Sequence, residues 1–321
     1  MLKDKFQIQC LVRNDSSSIS CVGKRVAESL RNVFDVSICS VSNPIEGQTY
    51  YRCDVGLGYG LVQDLIWLRP YRKRIIGLVC EDDLTDEEID LIRTINPHEI
   101  WVPSTFCHGK FKKVGLGSLC AIVPHGVPAF PVRAAERKKT GNVLMIFNSY
   151  PSMGIHVHRK GILETIEAFK ELPHDLILRT EKRPYYQKHL GDMKNVGFVT
   201  ERVEDLSTLF DQCDAVLCPS HAEGFGLVGL EALARGIPLI STKTGNDYLQ
   251  DDVSYIHIDL PVTAEKIKNS IEVLYNDFDH YSKAAISQVP KIYDRYSWPK
   301  IGEAIVQRAK GFIGRTYGDK L

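Results

Sequence analysis

The sequence predicts an α/β fold of two doubly wound, Rossmann-like domains, and three observations carry that reading. Short apolar runs of strand type alternate with helical segments along the whole chain, the pattern of parallel sheets covered on both faces. The alternation breaks once, at PHGVPAFPVRAAERKKTGN (124–142), where three prolines and a charged, apolar-poor tail read as a linker. A length of 321 residues suits two domains of common size, each able to bury a core. The boundary is expected at 130–141, with one domain over 1–135 and a second over 141–297.

In the first half, the segment at 7–12 alternates like a strand, and further strands are expected at 36–41, 55–57, 75–79, 100–102 and 121–123. Helices are expected at 20–34, 85–95 and 105–114. Thr85 is an N-cap candidate, and Asp86, Glu87 and Glu88 behind it favour the positive end of a helix dipole. The second half repeats the pattern, with strands at 143–147, 176–178, 196–199, 215–218, 239–241 and 255–258. Its helices are expected at 161–172, 203–212, 227–235, 264–275 and 299–311. Two such domains would face each other across a cleft between strand carboxyl edges, where folds of this kind bind ligands.

Lys plus Arg and Asp plus Glu both number 40, so no net field recruits nucleic acid. No apolar run approaches the roughly 20 residues of a membrane span. The start of the chain lacks a signal-peptide core, and a cytoplasmic protein is expected. Nine cysteines form no CxxC pair; the odd count and the settings of Cys39, Cys80 and Cys218, which read as buried, indicate free thiols in a reducing cytosol.

The most informative segment is CPSHAEGFGLVGLEALARG, from Cys218 to Gly236. An apolar strand ends there, a loop carries Glu223, Gly224 and Gly226 follow, and a helix opening near Leu227 carries Glu231 about one turn in. Strand, glycine-interrupted loop and helix N-terminus make an anion site, because unpaired amides and the helix dipole point at the ligand. Helical side chains lean toward the N-terminus, so Glu231 can reach back beside that anion. Two carboxylates flanking a diphosphate site suit a ligand with hydroxyls at both ends, such as a nucleotide-sugar.

This segment resembles the Glu-x7-Glu signature of retaining glycosyltransferases of the GT-B fold, family 4, with PSxxEGFGLxxLEAxAxGxP read from Pro219 to Pro238. The resemblance runs from about Asp54 to the C-terminus. It implies that Glu223 contacts hydroxyls of the transferred sugar, that Glu231 accepts from the ribose, and that amides near Gly226, Leu227 and Val228 hold the distal phosphate. Gly224 and Phe225 belong to the same cradle, and backbone near Val199 and Thr200 faces the base. It further implies an Arg and a Lys ahead of the first helix of the second domain, stabilising the departing diphosphate. Lys160-Gly161 matches the family's KG pair. The family Arg lies directly after the preceding strand, where this chain has Asn148 and the loop SYPSMGIHVH, so Arg159 is the expected substitute and Arg179 the alternative, with a plain surface charge an equal reading of Arg179. In relatives the last helix crosses back to the first domain, and the segment at about 298–313 is the candidate. Where many relatives carry a His after the strand at 75–79, this chain reads GLVCEDD. Glu81 is the chosen counterpart, orienting the acceptor or taking its proton. An equal reading makes Glu81, Asp82 and Asp83 a solvated acidic turn. His125, in PHGVP, matches a structural turn of the family.

The resemblance implies transfer of a sugar from a UDP- or GDP-sugar to a hydroxyl acceptor, with retention, by a front-face route that uses no metal and no further cofactor. The acceptor would be a glycan, a lipid or a small molecule. His156 and His158 resemble a metal pair without a third ligand, and Asp277-x-Asp279 falls away from any nucleotide-binding strand. The basic runs RPYRKR (69–74), KFKK (110–113) and RAAERKK (133–139) leave peripheral contact with an anionic lipid surface possible, although such runs are more often solvated faces. Rival functions are a degenerate transferase that binds nucleotide-sugar without catalysis, and a GT-B epimerase or phosphorylase. A Rossmann oxidoreductase is disfavoured, since Val12 leads into RNDSSSIS and not G-x-G-x-x-G.

Overall fold

The computed structural model describes residues 6–13, 18–40, 53–133, 139–147, 159–180, 186–200, 206–249 and 254–317. The chain forms two compact units, residues 1–126 with 296–321, and residues 127–295.

The first unit contains β1 (Gln7–Val12), α1 (Ser18–Arg31), β2 (Asp35–Ser40), β3 (Val55–Tyr59), a 3-10 helix (Val62–Leu68) and β4 (Arg74–Gly77). These are followed by α2 (Asp86–Ile95), β5 (Glu99–Val102), α3 (Thr105–Lys113) and β6 (Cys120–Ile122). Its sheet is ordered β2-β1-β3-β4-β5-β6, and every pairing is parallel. Strand order reverses between β1 and β3. Thr85 caps α2: its side chain accepts from the Glu88 amide at 3.2 Å, and Glu88 accepts from the Thr85 amide at 2.9 Å. Leu11, Ile76, Leu78, Ile92, Ile100, Val102 and Phe111 build the core on one face of this sheet.

The second unit contains β7 (Asn142–Ile146), α4 (Ile162–Phe169), β8 (Asp175–Arg179), β9 (Val196–Val199), α5 (Ser207–Gln212) and β10 (Ala215–Cys218). Then come α6 (Leu227–Ala234), β11 (Leu239–Ser241), β12 (Ile256–His257), α7 (Ala264–Asn276) and α8 (Phe278–Tyr296). Its sheet runs β12-β11-β10-β7-β8-β9, again all parallel. Order reverses between β7 and β10, the switch point at which such sheets bind ligands beyond their carboxyl ends. Alternate residues of β7, β8 and β10, among them Val143, Met145, Leu176, Leu178, Ala215 and Leu217, pack with Ile162, Ile166 and Phe169 of α4. Asp214 pins the amino edge, accepting from the amides of Thr140 at 2.9 Å and Gly141 at 2.6 Å. Arg133 joins the start of this unit to it by donating to the carbonyls of Phe210 and Asp214 at 2.9 and 3.3 Å.

The last helix, α9 (Trp298–Tyr317), belongs to the first unit and packs along α1. Buried Glu99 accepts from Arg308 Nε at 2.6 Å and Arg315 Nη2 at 3.1 Å on that helix, and from Trp101 Nε1 at 2.7 Å.

Three local expectations differ from the structure. No helix is expected over 278–296, yet α8 runs through Pro290, whose missing donor the helix tolerates. The 3-10 helix at Val62–Leu68 is likewise unforeseen. Cys39 is half-buried and not buried, because β2 is an edge strand paired on one side only; Cys218 is also half-buried, while Cys80 is buried. All nine cysteines are free thiols.

Candidate functional site at the carboxyl edge of the second sheet

Residues 159–161, just ahead of α4, meet the loop after β10 at the switch point. Asn148, His156 and His158 lie outside the described residues, and the description resumes at Arg159. There the His221 amide donates to the Arg159 carbonyl at 2.7 Å. Gly161 stands at φ +68°, and a Cβ on it would fall 2.3 Å from the Pro219 carbonyl oxygen. Only glycine lets the two loops approach this closely, and the approach sets the Lys160 side chain beside the loop after β10.

Lys160 Nζ donates to Glu223 Oε2 in a salt bridge whose side chains are only 17% and 12% exposed. Ser220 Oγ donates to the same oxygen at 3.2 Å. A cation and a carboxylate are thus held together at the mouth of the sheet, where screening by water is weak. Next to them, His221 Nε2 faces Glu164 Oε1 at 3.2 Å.

The loop from Glu223 to Gly226 is held from behind by the turn after β11. The Gly226 amide donates to Asn246 Oδ1 at 3.0 Å, and Tyr248 Oη donates to the Gly226 carbonyl at 2.6 Å. Asn246, buried, anchors that turn by donating to the Thr242 carbonyl at 3.1 Å. Gly224 and Phe225 are buried, with the Phe225 ring edge-on to Tyr248 at 5.7 Å.

At the start of α6 the Leu227 amide turns back to the Phe225 carbonyl at 2.9 Å, and Leu230 is the first to bond four residues back, to Gly226 at 3.1 Å. The Val228 and Gly229 amides fall between them, in the first turn, where a helix offers them no carbonyl. One turn on, Glu231 is half-buried, and among the described residues its carboxylate has no hydrogen-bond partner. Desolvation pushes that carboxyl up to about 7, against the opposing pull of Arg235. The arrangement offers a lysine, a pair of free amides and a desolvated carboxylate within one strand-loop-helix unit, which is chemistry suited to a diphosphate with a hydroxyl-bearing group attached.

Val199 and Thr200 lie half-buried at the carboxyl end of β9, where the Val199 carbonyl accepts from Thr180 at 3.0 Å. Arg179 is no surface charge: it is 5% exposed at the end of β8, and its carbonyl accepts from Phe147 at 3.1 Å. Thus Arg159, Lys160, Glu223 and the start of α6 come together, Glu231 stands on that same helix, and Val199 and Thr200 end a strand of the same sheet.

Glu81 belongs to the first unit, half-buried in the bend after Cys80. Asp83, two residues on, is exposed and accepts from Lys110 Nζ at 2.6 Å. His125 is buried, and burial pushes its imidazole down to about 3. Asp277 lies between α7 and α8, and Asp279 is in the first turn of α8. Among the described residues no group of three or more His, Cys, Asp or Glu side chains is placed to hold a metal ion.

Sequence reasoning missed Asn246, Tyr248 and the His221–Glu164 pair. A Gly-Asn turn signal was present at Gly245-Asn246, but nothing local reveals that Asn246 reaches back 20 residues to Gly226.

Residues 147–287 match the family model described as glycosyl transferases group 1. A sucrose synthase of Melioribacter roseus is 34% identical over 109 residues, covering 32% of this chain and 14% of that protein. A D-inositol 3-phosphate glycosyltransferase of Corynebacterium urealyticum is 27% identical over 168 residues, covering 48% of this chain and 39% of that one. The matches therefore span well under two thirds of these relatives' own length. Among solved structures, Anabaena Alr3699/HepE in complex with UDP and glucose superposes with a TM-score of 0.78 at 16% identity, over 95% of this chain and 100% of that one. A sucrose-phosphate synthase of Thermosynechococcus elongatus gives 0.75 at 14% identity, over 97% and 100%. The fold is GT-B, built of two Rossmann-like domains.

Proposed function

We propose that the protein is a retaining glycosyltransferase of family 4 that moves a sugar from a UDP- or GDP-sugar to a hydroxyl acceptor. The observation that carries this reading is the Lys160–Glu223 salt bridge beside the open first turn of α6, at the switch point of the second sheet. The match of residues 147–287 to glycosyl transferases group 1 supports it, as does the fold shared with a protein solved with UDP and glucose.

Glycosyl transfer builds positive charge at the anomeric carbon and negative charge on the departing diphosphate. In this reading the ammonium of Lys160, the guanidinium of Arg159 and the amides of Val228 and Gly229 stabilise the leaving group; the Gly226 and Leu227 amides expected from the sequence are already taken, by Asn246 and by the Phe225 carbonyl. With that positive charge supplied by the chain, the reaction needs no divalent metal. Donor binding draws Lys160 toward phosphate, and Glu223 turns to hydroxyls of the transferred sugar. Glu231 accepts from the ribose, and backbone at Val199 and Thr200 faces the base. Glu81 orients the acceptor hydroxyl or takes its proton, a role that falls to the first unit. On the front-face route the leaving phosphate assists that deprotonation, so no covalent glycosyl-enzyme forms.

Thermal unfolding against UDP, GDP, ADP, CDP and dTDP tests the reading, with Glu231→Ala alongside. A ligand at about a hundred times its Kd adds roughly 2.7 kcal/mol to stability. One diphosphate stabilising the wild type and not the variant supports the donor site. No shift from any of them overturns it.

A further inference from the structure

His221 stands just before Glu223 and touches the lysine-bearing segment twice. Its amide donates to the Arg159 carbonyl at 2.7 Å, and its ring Nε2 faces Glu164 Oε1 at 3.2 Å. Glu164 lies in the first turn of α4, one turn beyond Lys160. An ionised carboxylate only accepts, so in this pair Nε2 carries the hydrogen. The two side chains are 30% and 24% exposed, and among the described residues Glu164 Oε2 is buried with no hydrogen-bond partner. The neighbours Ile162, Thr165 and Ile166 on the same helix are buried. A leucine at 164 would suit that packing and would avoid the desolvated oxygen. Packing alone does not explain a carboxylate here; the bond to His221 does.

The need for that bond follows from what the site must do. In the free protein Lys160 holds Glu223, and this salt bridge joins residues 159–161 to the loop after β10. The donor reading given above has the two part, Lys160 for phosphate and Glu223 for sugar hydroxyls. The loop after β10 keeps its backing from the β11 side. There Thr242 Oγ1 donates to the Ser220 carbonyl at 2.7 Å, and Asn246 Oδ1 accepts from the Gly226 amide at 3.0 Å. Neither contact reaches residues 159–161. The two His221 contacts do, and they use neither the ammonium nor the carboxylate that the donor takes.

We propose that His221 and Glu164 are positioning residues, which together hold Lys160 in place for the diphosphate once its salt bridge to Glu223 opens. The assignment rests on the donor reading above.

The test is titration calorimetry of UDP, GDP and their nucleosides with the wild type, His221→Leu, His221→Gln and Glu164→Leu. The two leucine variants should each weaken diphosphate binding about tenfold, the loss expected for one hydrogen bond to a charged group, and should spare the nucleoside. His221→Gln, whose amide keeps a donor for Glu164, should recover most of that loss. With Lys160→Met already present, His221→Leu should cost nothing further, because no ammonium remains to be positioned. A merely structural role would lower nucleoside and diphosphate affinity together and would persist in the Lys160→Met background. Either result overturns the assignment, as does a His221→Gln no better than His221→Leu. Wild-type affinity in both leucine variants overturns it and leaves the donor site standing. A wild type that binds neither diphosphate overturns the donor reading, and the assignment with it. Hydrogen exchange without ligand checks the tether by itself: Glu164→Leu should speed exchange of the His221 amide about tenfold. Unchanged exchange overturns the tether whether or not diphosphate binds.

Discussion

Gly245 and Glu223 come so close that a Cβ on Gly245 would fall 1.7 Å from the Glu223 carbonyl oxygen, and Gly245 itself stands at φ +67°. The turn after β11 therefore sets the backbone of the loop that presents Glu223. Gly245→Ala has nowhere to put its methyl and adopts a conformation that alone costs an L-residue roughly 1–2 kcal/mol. The variant is expected to lose more than that in urea unfolding and to bind nucleoside diphosphate more weakly. A variant with wild-type midpoint and affinity would show that this turn does not hold the loop.

Breaking the Lys160–Glu223 pair from either side should give different kinetics. Lys160→Met removes the cation proposed for the leaving group, so turnover should fall about 10²–10³-fold, the range for one preorganised donor at a charged transition state. It should also weaken UDP or GDP binding while sparing the bare nucleoside. Glu223→Gln should lower turnover and leave nucleotide affinity nearly unchanged, because its proposed contacts are with the sugar. Equal loss of nucleotide affinity in both variants would place Glu223 at the phosphates instead.

Glu231 predicts a pH dependence. Its carboxyl is pushed up to about 7 by burial. The native state thus holds this proton more tightly than the unfolded chain does, and the associated stability is present below the ordinary carboxylate range and lost as pH rises through about 7. A ribose hydroxyl donates to the ionised form. Nucleoside affinity should accordingly rise with pH through about 7 and level off above it. Titrating the nucleoside avoids the ionisation of the phosphates. Glu231→Gln should bind more weakly at high pH and show a flat profile; a flat wild-type profile would remove Glu231 from the ribose.

What was legible in the sequence was what repeats or stays local. The strand periods around Val216 and Leu144 and the Thr85 cap follow from neighbours a few residues away. The Cys218–Gly236 segment carries its own chemistry in order, so the carboxylates and the helix start could be placed from spacing alone. The clamp of Asn246 on Gly226 could not, because it joins two loops through a fold that must exist first. Helix α8 was hidden by Pro290, a residue that argues for a break whenever tertiary packing is not in view. Arg179 was open to reading as a surface charge, since burial at the end of a strand depends on what covers it.

Glu99 lies on β5 and is 4% exposed, while both its arginines are partly open to water. Its carboxylate gathers Trp101 Nε1 and two cations of α9, so α9 is held to its own unit by one buried acceptor. Glu99→Gln keeps an oxygen for the indole and loses only the charge; a cost of about 1 kcal/mol is expected, since exposed arginines recover water. Glu99→Ala also leaves the indole N–H unpaired in the core and opens a void, for a loss of about 2–4 kcal/mol. Urea unfolding of the three proteins separates these values. The ranking matters more than the sizes: if Gln costs as much as Ala, the charge holds α9 in place, and if both are neutral, the apolar contacts of Ile305, Ala309 and Ile313 hold it without Glu99.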